Sequence, residues 1–414
     1  MPCFKRFAIM LAICITLVLA SVPFNAHASS SAGNSPGVAV QLSQQLQYEW
    51  LGRWDKSRLD QILTTGAAAF SGVTQAYTPA DNAVDLYRVT YSSVIPERGN
   101  RPITATGLLA VPDVTDMSLP IVSYQHGTVY GKQQVPSFPE NSDETQLMIA
   151  QFAGQGYILV AADYFGMGKS TEPEGYMVKQ SHQQATHDML IASQAVLRDL
   201  KRSGTKLFLS GWSQGGFVTM AMLEKLESIG MKVDAAATAS APVDVLLNLN
   251  GLIQFPREID AGWATTTIIL SAFAFENYYS VPGLARSVIN DDVYEVSRKV
   301  YAREPVNEAD VPMTMQKLLR PEYFDPQFFA ESAYGRLLAS HTHAYRWVVQ
   351  TPVHNYYGEA DEVISSGMGQ LAMHYQQAMG RGNPKVSAIS TGPTTHRGTF
   401  AAAVPQWKQW FDEQ

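Results

Sequence analysis

The chain has 414 residues, of which 46% are hydrophobic and 16% charged, and its formal net charge is -7. An acidic chain with no basic stripe offers no field for nucleic acid, and nucleic-acid binding is set aside on that ground. The length is more than one typical domain and suits a single α/β domain with an insertion.

Lys5 and Arg6 precede an apolar run from Phe7 to Ala20, and Ala26-His27-Ala28 closes the segment with small residues at the positions a signal peptidase reads. Residues 1–28 are therefore expected to be a signal peptide that is cleaved, with export to the periplasm or medium. The run is shorter than the ~20 residues of a membrane-spanning helix. Cys3 and Cys14, the two cysteines, both fall within residues 1–28, so the exported protein is expected to use no disulfide. Cys14 lies inside the apolar run with Ile13 before it, which speaks against lipidation. Residues 29–83 are read as an N-terminal extension of open role.

From residue 84 strands and helices alternate. Val84 to Val94, Ile103 to Val111 and Leu119 to Tyr124 read as strands bounded by turn residues. A helix near Glu144 to Ala153, a strand from Tyr157 to Ala162 and a long helix from Gln180 to Lys201 follow. Lys206 to Ser210 is a short buried strand, and Phe217, Met220, Ala221, Leu223 and Leu226 recur at helical spacing after it. Ala235 to Ala241 and Pro352 to Tyr357 are the next two strands, and Val386 to Ser390 is the last. This alternation implies an α/β fold with a mostly parallel sheet. The stretch between Ala241 and Pro352 is too long for a plain connection, so residues 246–345 are expected to form a helical cap, rich in aromatics. The core is then 84–245 together with 346–414.

Gly211-Trp212-Ser213-Gln214-Gly215 fits the Gly-x-Ser-x-Gly elbow between a buried strand and a helix, where a serine becomes an exposed nucleophile. A serine hydroxyl needs a base to take its proton and a carboxylate to orient that base. Asp361, just past a strand, and His396, in the loop after the last strand, follow in the order Ser, Asp, His; Glu359 and Glu362 are rival acids. Two backbone amides would hold the oxyanion, that of Gln214 and that of Thr128 in Gln125-His126-Gly127-Thr128. Trp212 and Tyr164 flank these groups and are expected to contact substrate. His126 precedes the elbow and suits a structural role. Gly168-Lys169-Ser170 imitates the end of a phosphate loop, but Asp163 stands where that motif needs glycine. His341, His343, His354 and His374 lack the accompanying carboxylates or thiolates of a zinc site, so no metal and no organic cofactor is expected.

These residues resemble the α/β-hydrolase superfamily over about residues 84–414. Gln125-His126-Gly127-Thr128, Gly211 to Gly216 and the large insertion after the sixth strand are similar to secreted lipases and related bacterial esterases. The resemblance implies an eight-stranded sheet flanked by helices, a cap, and hydrolysis of a small-molecule or lipid ester through an acyl-enzyme, with transient contact to a lipid surface. A peptidase or amidase with the same triad is the alternative, for which Glu258, Asp260 and Glu276 in the cap would bind an amino terminus. A binding protein that keeps the fold without catalysis is the other. Oligomeric state is not specified by the sequence.

Overall fold

The computed structural model describes residues 39–380 and 385–414. The expected signal peptide and both cysteines lie outside the described residues. Ten strands form one sheet: β1 (Ala39–Ser43), β2 (Leu46–Trp54), β3 (Val84–Ile95), β4 (Arg101–Pro112), β5 (Ser118–Gln125), β6 (Ile158–Ala162), β7 (Ser203–Trp212), β8 (Ala235–Ala239), β9 (Val353–Tyr357) and β10 (Val386–Ser390). Their order is β1-β2-β3-β4-β6-β5-β7-β8-β9-β10. β1 to β4 and the β4–β6 pair are antiparallel, and every pair from β6 to β10 is parallel.

The expected eight strands are β3 to β10, and the sheet is two strands larger than that. The extra pair comes from the segment read as an extension. β2 lies along β3 from Leu46 opposite Tyr91 to Trp54 opposite Val84, with a register shift between Trp50 and Gly52. Half-exposed side chains along β2 blur the alternation that would reveal a strand, as befits the second strand from the sheet's edge.

Both faces of the sheet are covered, which is why its central strands read as continuous apolar runs. In β5, Ile121 enters the core on one face and Val122 that on the other; in β7, Leu209 and Phe208 divide in the same way. The first face carries α4 (Lys179–Asp199) and α5 (Gln214–Ser228). The second carries α3 (Asp143–Gln151) and α14 (His396–Glu413), together with α1 (Lys56–Gln61) and α2 (Ala67–Ser71), which a π-helical turn at Ile62–Gly66 joins. Leu59, Ile62 and Leu63 from that N-terminal segment are buried in the same cluster as Trp407 and Phe411.

Between β8 and β9 the chain is helical: α6 (Val245–Gln254), α7 (Thr265–Tyr278), α8 (Leu284–Val288), α9 (Asp291–Tyr301), α10 (Met315–Leu318), α11 (Pro326–Glu331) and α12 (Ala333–His341). α13 (Ser366–Ala378) then links β9 to β10. Apolar residues of α7 are buried on every side, among them Ile268, Ile269, Phe273 and Phe275, so it forms the centre of the insertion. The insertion is tied to the loop that precedes α4. Tyr278 and Tyr301 donate to the carbonyls of Pro173 and Glu174 at 2.9 and 2.8 Å, and Arg303 pairs with the Glu174 carboxylate in a buried ion pair. Among the described residues no helix is long and apolar enough to cross a membrane.

If residues before 84 are integral to the domain, Leu59→Ala should destabilise it by about 2–4 kcal/mol, the cost of a large core truncation. Leu59 is fully buried. Urea denaturation followed by tryptophan fluorescence reads the loss, and an unchanged midpoint would show that the segment packs only loosely.

Candidate active site

The site is assembled at the carboxyl ends of the parallel strands, where open α/β sheets place their ligands. β7 ends at Trp212, and Ser213 follows at φ 56 and ψ -123 before α5 begins at Gln214. Such a backbone is strained for a serine and persists only where its surroundings fix it. They do so by close approach. A Cβ on Gly211 would lie 2.3 Å from the carbonyl oxygen of Gly215, and one on Gly215 would lie 1.8 Å from that of Gln125 at the end of β5. The glycines let α5 start against both strands.

Ser213 Oγ lies 2.9 Å from Nε2 of His396, whose Nδ1 is 3.0 Å from both carboxylate oxygens of Asp361. His396 and Asp361 are almost wholly buried. Asp361 also accepts from the amides of Val363 and Ile364 at 2.9 and 2.8 Å and from the Ser240 hydroxyl at 2.6 Å. Burial pulls this carboxyl up, but the facing imidazole and these donors outweigh it and hold it below the usual carboxylate range. The rival acids are placed elsewhere. Glu362 accepts from the backbone amide of His396 at 2.8 Å, and Glu359 accepts from the Ser390 hydroxyl at 2.7 Å.

Gln214 is the first residue of α5, so its amide has no intrahelical acceptor. The Thr128 amide likewise has no acceptor among the described residues, while its side-chain hydroxyl meets the Tyr176 hydroxyl at 3.0 Å. The loop before it is tightly held. The Gly127 amide donates to Glu144 at 2.7 Å, and the Tyr164 hydroxyl donates to the His126 carbonyl at 3.0 Å. The His126 ring stacks on Tyr164 at 4.1 Å between centroids, and burial lowers it to about 4, so it is neutral near pH 7.

Trp212 and Tyr164, the two residues expected to contact substrate, are both buried. Trp212 donates its indole N–H to the His396 carbonyl at 3.1 Å and packs against Phe400 and the His396 ring, 5.1 and 5.0 Å between centroids. Tyr164 is buried and commits its hydroxyl to His126. Asp163 accepts from the Ser137 amide and the Thr106 hydroxyl, and a Cβ on Gly168 would lie 2.1 Å from its carboxylate, so this loop is folded on itself. His341 stacks on Tyr279 and His354 on Trp410, and among the described residues no group of three or more His, Cys, Asp or Glu side chains could hold a metal.

Several neighbours of the site were not visible in the sequence. Trp263, just before α7, comes within 6.1 Å of the His396 ring, and Tyr130 reaches from the loop after β5 to Thr266 of α7 at 3.0 Å. Phe70 of α2 packs edge-on to Trp212, with the Arg397 guanidinium 5.1 Å over its ring. None carries a local motif, because chain segments far apart bring them together. A depression of about 710 Å³ lined by Tyr91, Thr104, Asp188 and Ile191 does not border Ser213.

Comparison with known proteins agrees with this geometry. A protein of Legionella pneumophila assigned as a hydrolase superposes with a TM-score of 0.79 at 20% identity, over 91% of this chain and 97% of its own. A ligand-bound form of the rice cell wall degrading esterase LipA from Xanthomonas oryzae gives 0.74 at 21%, over 92% and 100%. Candida antarctica lipase A gives 0.58 at 16%, over 83% and 82%. The chain has the α/β-hydrolase fold. The model of the serine aminopeptidase S33 family matches residues 135–275, a stretch that includes Gly211-Trp212-Ser213-Gln214-Gly215. No curated protein matches the chain by sequence.

Glu144 makes a stability test possible in this protein. Burial raises its carboxyl to about 7, against which the Tyr124 hydroxyl, the Gly127 amide, and the charges of His396 and Arg397 act more weakly. A carboxyl raised on folding costs no stability below pH 4.5, where folded and unfolded chains are both protonated, and progressively more as pH rises to 7. Glu144→Gln should therefore raise the melting temperature at pH 8, by up to about 3 kcal/mol of stability, and leave it unchanged at pH 4. Thermal unfolding at the two pH values decides; an equal effect at both would show that the carboxyl does not titrate in this window.

Proposed function

We propose that the protein is an exported serine hydrolase that cleaves carboxylic esters. The observation that carries this reading is the hydrogen-bonded line from Ser213 Oγ through His396 to Asp361, with the serine on a strained turn. In the proposed reaction His396 Nε2 takes the Ser213 proton as Oγ attacks the ester carbonyl carbon. The amides of Thr128 and Gln214 receive the negative charge that develops on the carbonyl oxygen. His396 then returns the proton to the leaving alcohol, and an acyl-Ser213 remains for water to hydrolyse by the same steps. Asp361 keeps the imidazole oriented and offsets its positive charge.

An ester, rather than a peptide, is favoured by two features. The solved relatives named as acting enzymes are an esterase and a lipase. Of the three cap carboxylates that could receive a free amino terminus, Asp260 pairs with Arg257 at 2.6 Å, Glu276 accepts from the Ala285 amide at 2.8 Å, and Glu258 is exposed on the surface. The family name keeps the aminopeptidase reading as the one to exclude. Export rests on the sequence of residues 1–28.

Purified protein should hydrolyse p-nitrophenyl esters, and Ser213→Ala and His396→Ala should each lower kcat by several orders of magnitude, on the order of 10³–10⁶. A series from acetyl to palmitoyl reads the acyl preference, and aminoacyl p-nitroanilides run alongside. Turnover of the anilides without the esters would make the protein a peptidase, and equal rates in wild type and Ser213→Ala would remove the triad mechanism.

A further inference from the structure

Beneath the loop that carries Thr128 lies a carboxyl group with no part in the proposed reaction. Glu144 is in the first turn of α3, fully enclosed, and its Oε1 accepts from the Gly127 amide at 2.7 Å and from the Tyr124 hydroxyl. The groups that face it are Tyr124 from β5, Tyr164 from the loop after β6, and His396 and Arg397 at the start of α14. Gly127 has little space above it. A Cβ there would meet Trp212 Cε3 at 3.0 Å and Glu144 Oε2 at 3.3 Å.

Each residue of the loop is thus pinned by a different partner. His126 gives its carbonyl to Tyr164 and Thr128 sets its hydroxyl against Tyr176, while the amide between them turns inward to Glu144. An amide aimed at a buried carboxyl cannot also aim at an oxyanion. The choice of which amide faces Ser213 is therefore made beneath the loop. Without an acceptor there, the Gly127 N–H would be buried and unpaired, a state costly enough to turn the peptide toward another partner.

We propose that Glu144 is a positioning residue for the oxyanion loop: by holding the Gly127 amide inward, it leaves the Thr128 amide directed to the space beside Ser213 Oγ. The inference rests on the serine-hydrolase reading above. What the loop requires is an acceptor oxygen at that point. The carboxylate supplies it, and so does the neutral acid when its proton sits on Oε2. A glutamine retains the acceptor, a leucine removes it, and an aspartate draws it back from Gly127 by one methylene.

The test measures kcat and KM for the best p-nitrophenyl ester in Glu144→Leu, Glu144→Asp and Glu144→Gln, from pH 6 to 9. Loss of oxyanion alignment affects the transition state rather than ground-state binding. Glu144→Leu and Glu144→Asp should lower kcat by about ten- to hundred-fold with KM within about threefold of wild type, and Glu144→Gln should stay within about threefold in both. Inactivation by a p-nitrophenyl phosphonate, whose phosphoryl oxygen uses the same amides, should slow in parallel with kcat. Melting curves confirm that each variant is folded, and Glu144→Asp carries the test if Glu144→Leu is not. A folded variant without an acceptor but with wild-type kcat, a change confined to KM, or failure of Glu144→Gln to restore turnover would overturn the role of Glu144. Wild-type protein inert toward every ester and toward the phosphonate would instead remove the hydrolase reading, and this proposal with it.

Discussion

The contact between Gly215 at the start of α5 and the carbonyl of Gln125 at the end of β5 sets the spacing of the whole site. A single added carbon would stand 1.8 Å from that oxygen, and 2.7 Å from the carbonyl of His126. Because backbone meets backbone, no side-chain rotation can relieve the approach. It brings the nucleophile's helix and the oxyanion loop together as one unit, and it holds Ser213 in a conformation that an isolated chain would leave. The parallel pairing of β5 with β7, from Ser118 opposite Ser203 to Gln125 opposite Gly211, brings both strand ends to the same edge.

Two buried carboxyl groups flank this contact and are held in opposite ways. Asp361 receives two amides, a hydroxyl and the imidazole, enough to keep it ionised in spite of burial. Glu144 has fewer donors for its burial and is raised to about 7. Environment, not residue type, separates a group that orients a base from one suited to support a loop. Trp212 joins the two, since its ring lies against His396 on one side and over Gly127 on the other.

Much of this was legible in the chain. The central strands β5, β6, β7 and β8 are buried on both faces where they pair, so their apolar runs are sharp, and the ends of β3 to β10 lie within a few residues of expectation. Ser213, Asp361 and His396 could be placed because each follows a strand, and the structure brings them together. What escaped has a common cause. β2 is half exposed and interrupted at Gly52, so its pattern is weak. Glu144 matters through Gly127, Ser240 through Asp361 and Phe70 through Trp212, pairs set by tertiary contact that no spacing rule contains. Packing likewise sets Trp212 against the His396 ring and Tyr164 against His126, contacts that no spacing in the chain announces.

The cap is inserted between β8 and β9, and this has a consequence for when the site comes into being. Ser213 and the oxyanion loop belong to the stretch before the insertion, Asp361 and His396 to the stretch after it. A chain made or threaded from its amino end presents the serine long before any base can reach it. The β7–β8 edge must wait through more than a hundred residues of helix for β9 and β10 to extend the sheet and for α14 to dock on Trp212. The connection is a built-in delay. In the proposed reaction, a chain that lacks β9, β10 and α14 therefore holds its serine without a base, and these long-range contacts are the ones that would arm it.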